Sequence, residues 1–225
     1  MNRPARRRRG FGWPGRVAVA AVLILASPLL APRLLAFPHS TTVGQHHVYS
    51  DMPITPAVRR IVGAADDKVR ASPLGDARPL DQDVVLTDGG WRWRWLAISA
   101  SDAFALSRPL GEPVIVNHSD PSRDIMTNAY GATRRLTDVV AHELTHGAIR
   151  ARFGIVRAQL MPAELVEGYC DHVAGSSTLS DAQAKALIAS GQTRPALLYW
   201  TGRKKVEAAL EANGNDVDRL FEEWR

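Results

Sequence analysis

The chain has a single cysteine, Cys170, among 225 residues. That excludes an internal disulfide framework and a structural zinc site built from cysteines. No repeat or low-complexity tract appears, and aromatic residues make up only 7%. Acidic residues are missing altogether from the first 37 positions, where seven arginines fall (Arg3, Arg6, Arg7, Arg8, Arg9, Arg16 and Arg33). The formal net charge of +5 therefore belongs to the N-terminus: the remainder carries 21 basic against 23 acidic side chains. A folded domain that is slightly acidic loses the main electrostatic support for binding nucleic acid. What is present, 45% hydrophobic and 23% charged residues, is the composition of an ordinary globular protein long enough for one domain with a real core.

Residues 1–37 combine Arg6 to Arg9 with an apolar run from Val17 to Ala31, broken at Ser27 and Pro28, and a second apolar piece from Leu34 to Phe37. Basic residues before an apolar stretch are what export machinery reads, with the charge held on the cytoplasmic side. The first run is short for a membrane span of about 20 residues and suits a signal sequence. Extended through Phe37 it reaches spanning length, and we expect an uncleaved transmembrane anchor, with a cleaved signal as the alternative. The domain would then lie outside the cytoplasm, either membrane-anchored or secreted.

Residues 38–55 are polar and turn-rich, a linker or a short lead strand, and residues 56–225 form the expected domain. Pro56 opens a helix through Ala71 with Val58, Ile61, Val62, Ala65 and Val69 on one face. Asp83 to Thr87 and Trp91 to Ile98 read as strands of a hairpin turning at Asp88-Gly89-Gly90. On that reading Trp91, Trp93 and Trp95 share one face of a sheet. Pro113 to Asn117 is a third strand, and Ser119 to Arg134 a polar loop. Leu136 to Ala151, Pro162 to about Ala174, Asp181 to Ala189, Ala196 to Ala212 and Val217 to Trp224 have helical spacing. A β-rich first half followed by a helical second half is an α+β arrangement.

His142-Glu143-Leu144-Thr145-His146 lies inside a predicted helix. A spacing of four puts both imidazoles on one face, one turn apart, where both reach a single Zn2+. Glu143 points to the same cleft and is placed to take a proton from water activated there. A catalytic zinc needs a third protein ligand and an open fourth position. Downstream, Glu164, Glu167, Cys170, Asp171 and His172 fall in one short helical stretch; Glu164 lies one turn before Glu167, so either could be that ligand.

Together the two segments, roughly Leu136 to Gly175, resemble the gluzincin metallopeptidases. In that family a glutamate downstream of the two-histidine motif completes the metal site, and an acidic residue one turn later braces a metal-binding histidine. The resemblance assigns these roles to Glu167 and Asp171, the glycine at 168 fixing the register, and it implies a peptide or protein substrate. Two positions depart from the pattern: Glu164 stands where an aromatic is common and His172 where a tyrosine is. The metzincin pattern is absent, since Ile149 and Arg152 occupy its glycine and histidine positions. A developing oxyanion would need a donor besides the metal; candidates are Tyr199, Tyr130, His118 and Arg203. Pro113 to Asn117 is the expected edge strand for extended substrate. Two other readings stand beside the peptidase: a non-catalytic zinc-stabilised surface binding protein, and a metallohydrolase of a non-peptide amide such as cell-wall material.

Overall fold

The computed structural model describes residues 12–78, 81–98, 100–110 and 113–224. The arginines Arg3 and Arg6 to Arg9, read above as an export signal's basic start, lie outside them. The protein is α+β, with its sheet in the N-terminal half and most of its helices in the C-terminal half.

The sheet has five strands in the order β1-β2-β3-β5-β4. β1 (His39–Val43) and β2 (His46–Ser50) form an antiparallel hairpin turning at Gly44. Residues 39–50 are thus part of the sheet. Helix α2 (Pro56–Ala71) carries the chain across to β3 (Val84–Leu86), which runs parallel to β2. β5 (Val114–Val116) is parallel to β3 on its other side, and β4 (Ala105–Ser107) closes the sheet antiparallel to β5. The expected edge strand, Pro113 to Asn117, is therefore an interior one, and the edge on that side belongs to β4, with β1 at the other. Successive residues alternate between two faces. Val48, Val84, Leu86, Val114 and Val116 face the main core, while Tyr49, Val85, Leu106 and Ile115 face a smaller cluster on the opposite side.

The predicted hairpin is not formed. Both edges of β3 are occupied by parallel neighbours, so residues 91–98 have no strand to pair with. Gly89 takes a positive φ of 79°, and the Asp88 carboxylate accepts from the Gly90 amide at 2.8 Å. From this turn Trp91–Leu96 starts as helix α3. Trp93, Leu96 and Ala97 are buried at helical spacing against Val85 and Ile115, whereas Trp91 and Trp95 point outward. The Ser119–Arg134 loop is also more regular than expected. It holds a three-stranded antiparallel sheet of β6 (His118–Asp120), β7 (Ile125–Thr127) and β8 (Thr133–Arg135).

The main face of the sheet is covered by α2 and α4 (Leu136–Phe153), the latter almost wholly buried. α5 (Ile155–Leu160) follows, then α6 (Ala163–Ala174), α7 (Asp181–Ala189), α8 (Pro195–Asn213) and α9 (Val217–Glu223). Lys68 on α2 donates to the Asp138 carboxylate on α4 at 2.7 Å and to the Ala174 carbonyl on α6, tying three helices together. Tyr169 on α6 packs edge-on against Phe221 of α9, which stacks on Phe153 of α4.

The N-terminal stretch does not make the expected anchor. Helix α1 runs only from Trp13 to Ala26, 14 residues, and ends at Ser27-Pro28. That is about 21 Å of helix against an apolar bilayer core of about 30 Å. No helix among the described residues is long and apolar enough to cross a membrane. The interruption at Pro28, with the 3-10 turn it starts, is what divides the apolar run.

Candidate metal centre

Helix α4 forms because Leu136, Val139, Val140, Leu144 and Ala148 repeat at helical spacing and all reach the core. Its first turn is capped from outside the helix: the Asp124 carboxylate accepts from both the Thr137 amide and the Thr137 hydroxyl at 2.8 Å. The helix ends at Gly154, whose φ is 84°. His142 and His146 leave its remaining face one turn apart, their rings 5.1 Å apart and edge-on. Helix α6 begins after Pro162 and ends at Gly175 in the left-handed conformation. It buries Leu165, Tyr169, Cys170 and Ala174, and turns Glu167 and Asp171 toward the two histidines.

The imidazoles meet one carboxylate oxygen. Glu167 Oε2 lies 3.1 Å from His142 Nε2 and 3.6 Å from His146 Nε2. On its other nitrogen, His142 Nδ1 lies 2.8 Å from Asp171 Oδ1. Asp171 is wholly buried, and its Oδ1 also accepts from Arg134 Nη2 on β8 at 3.2 Å. The charges follow from these contacts. Burial alone would push the Glu167 carboxyl upward, but the two histidines hold it well below the usual carboxylate range. Burial likewise works against the Asp171 anion, yet the bond from His142 and the charges of His142 and Arg134 keep its pKa low. His142 is raised: burial disfavours its cation, and the bonds to Asp171 and Glu167 outweigh that.

His142, His146 and Glu167 border a cavity of about 460 Å3 that is also lined by Glu143, Arg134, Arg150, Gln159, Tyr199, Phe104 and the edge strand β4, while Asp171 lies buried behind His142. Tyr199, on α8, has its ring 6.2 Å from that of His142. Its phenol pKa is pushed up, first by burial and then by Glu167, Glu143 and Asp171, so the hydroxyl keeps its proton. The other proposed donors lie elsewhere. Tyr130 is exposed and donates to Asp102, Arg203 bonds Glu207, and His118 sits exposed on β6. Glu164 turns away and pairs with Lys205 at 2.8 Å. His172 lies 3.9 Å from Glu207, outside the cavity lining.

The spacing fits a zinc ion. Tetrahedral Zn2+ with bonds near 2.0–2.1 Å separates its ligand atoms by about 3.3 Å, between the two nitrogen–oxygen separations observed. Asp171 on the far nitrogen of His142 fixes the proton there and leaves Nε2 free as a ligand. Cys170 complicates the choice of third ligand, because its sulfur lies within 4.8 Å of ligand atoms of both histidines. Two features favour Glu167. The glutamate side chain is 23% exposed and borders the cavity. Cys170 is fully buried and outside the cavity lining, and burial together with Glu167, Glu143 and Asp171 raises its thiol pKa well above the usual value.

Two participants were invisible in the one-dimensional pattern, Arg134, which reaches Asp171 from a separate sheet, and the β4 edge; a third, a glycine pair, was marked only by single glycines in two helical patterns. A Cβ on Gly168 would stand 2.3 Å from the Gly202 carbonyl carbon, and one on Gly202 would stand 2.2 Å from the Glu164 carbonyl oxygen. Only glycine at both positions lets α6 and α8 cross backbone against backbone, which sets Glu167 and Asp171 opposite Tyr199. An isolated glycine inside the α8 pattern was the signal for such an approach. Gly168→Ala and Gly202→Ala should each cost about 1–3 kcal/mol, since backbone must move, and should weaken zinc binding as α6 shifts. Gly63→Ala on α2, which meets open space, should instead stabilise by about 1 kcal/mol. Urea denaturation of the three variants checks this; equal effects would mean that the α6–α8 approach does not position the site.

A scan against protein-family models and searches of the curated proteins and of the solved structures returned no match.

Proposed function

We propose that this chain is a zinc-dependent, gluzincin-like peptidase in which His142, His146 and Glu167 hold the ion. The observation that carries the reading is the convergence of two imidazoles on one carboxylate oxygen, at 3.1 and 3.6 Å, on the wall of an open cavity that Glu143 also borders. Zinc bound there would supply a Lewis acid that polarises a carbonyl and lowers the pKa of water.

The remaining work falls to the chain's own residues. Glu143 is not in the ligand set and lines the cavity, so it accepts a proton from the attacking water and returns it to the leaving amine. Asp171 holds the Nδ1 proton of His142 and keeps that ring in one orientation. Tyr199 offers a protonated hydroxyl to the oxygen where negative charge develops. The β4 edge, bordering the cavity along Phe104 to Ser107, presents backbone groups to which an extended peptide adds as a strand. That mode of binding asks little of the substrate's side chains.

The proximity of Cys170 favours one other reading, a closed structural site that stabilises a binding protein. Both readings require metal, so stoichiometry is the first test. The purified chain, loaded with zinc under mild conditions, should carry one ion per molecule by elemental analysis. A metal-free preparation would overturn the ligand assignment.

A further inference from the structure

The second face of the sheet is thinly covered, and what covers it is unusual. Trp91 and Trp95 lie one turn apart on α3, and Ile98 follows in the turn just past its end; they are 57%, 39% and 77% exposed. Beneath them Trp93, Leu96 and Ala97 are buried on Val85 and Ile115. The chain from Ser27 to Phe37 lies beside this helix. Pro28 and Pro32 are buried, and Leu35 and Phe37 pack against the same cluster. Arg92 joins the two pieces: it donates to the Leu35 and Ala36 carbonyls at 3.0 Å and to Asp51 at 2.8 Å, with its guanidinium over the rings of Phe37 and Trp91. Leu30 and Leu34 remain exposed in this segment, and α1, which leads into it, buries no residue.

We propose that Trp91, Trp95 and Ile98, with the apolar chain from Trp13 to Leu34 attached beside them, dock on an anionic lipid surface, the helix lying in the interface and not across it. A helix apolar on all sides from Val17 to Ala26 needs an apolar medium around it; a protein partner would cover one stripe. Tryptophan is the residue that settles at the headgroup level, with an apolar body and a polar N–H. The charges match that setting. Arg16, Arg33 and Arg94 are exposed, and among the described residues before Asp51 there is no acid. Asp51 itself is bonded to Arg92, and Asp88 is the acid nearest the start of α3. An apolar surface edged by Arg16 and Arg94, with the charge of Arg33 shared with neighbouring Asp83, complements anionic headgroups. The stripe lies on the opposite face of the sheet from α4, so docking leaves the metal-centre cavity open. The inference does not depend on that centre.

The test is flotation of the full chain with vesicles of phosphatidylcholine alone or with phosphatidylglycerol added. Wild type should float with the anionic vesicles, less so at high salt, and its tryptophan emission should shift to the blue. Trp91→Ser, Trp95→Ser and Ile98→Ser combined, with α1 intact, should lower partitioning about tenfold or more while the circular dichroism stays unchanged. Should the triple variant misfold, Ile98→Glu alone should weaken binding to anionic vesicles severalfold. Wild type that ignores both vesicles, or variants that partition as wild type does, would overturn the proposal. A wild-type dimer without lipid that the substitutions dissolve would also overturn it, by making the stripe a contact between copies.

Discussion

Glu143→Gln should retain zinc and the wild-type fold while turnover of a peptide substrate falls by roughly 10²–10⁴-fold, the usual worth of a positioned general base. The substitution preserves size and hydrogen-bonding shape, so the cavity wall keeps its outline. It removes only the capacity to accept and return a proton. Because Glu143 is outside the ligand set, elemental analysis of the variant should still give one zinc per chain. Single-turnover rates separate this from a binding defect: KM should stay near the wild-type value while kcat carries the loss. If Glu143→Gln leaves turnover of a confirmed substrate intact, the peptidase mechanism fails.

The ligand series should give the second large effect. Glu167→Ala removes a direct bond to the ion, so its zinc affinity should fall beyond the roughly 10–100-fold that loss of a supporting group produces. Asp171→Asn should fall within that 10–100-fold range, because it leaves all three ligands and loosens only the His142 ring. Glu164→Ala should keep the metal, since Glu164 is turned toward Lys205. The decisive comparison is Cys170→Ala. If Glu167 is the ligand, this variant loses only a buried small apolar group and keeps zinc affinity within a few-fold, at a stability cost of about 1 kcal/mol. Competition against a chromophoric chelator measures all four. Loss of zinc in Cys170→Ala with retention in Glu167→Ala would make Cys170, buried away from the cavity lining, the third ligand in place of Glu167. The non-catalytic reading would then be preferred.

The same residues show how far a sequence reaches. Helices α2, α4, α6 and α7 begin and end close to where apolar spacing, Pro56, Pro162 and Gly175 placed them. Each of those signals acts within one or two turns of chain. The facing of His142 and His146 was legible for the same reason, as four residues make about one helical turn. The Trp91–Ile98 segment was misread because its alternation suits a strand and its i, i+4 repeats suit a helix. Only the absence of a free neighbour beside β3 settles which forms. The edge strand was misplaced likewise, since nothing in Pro113 to Asn117 says that β4 will pair outside it.

The identities and local spacing of His142, Glu143, His146, Glu167 and Asp171 are therefore properties of the chain's sequence, because helical geometry maps short separations directly onto one face. Their meeting at one point, with Arg134 from a second sheet, Tyr199 from α8 and Cys170 pressed close, required the three-dimensional packing. Those contacts join residues far apart along the chain, and their distances depend on how closely two backbones cross. At Gly168 and Gly202 that closeness rests on the absence of a single methyl group.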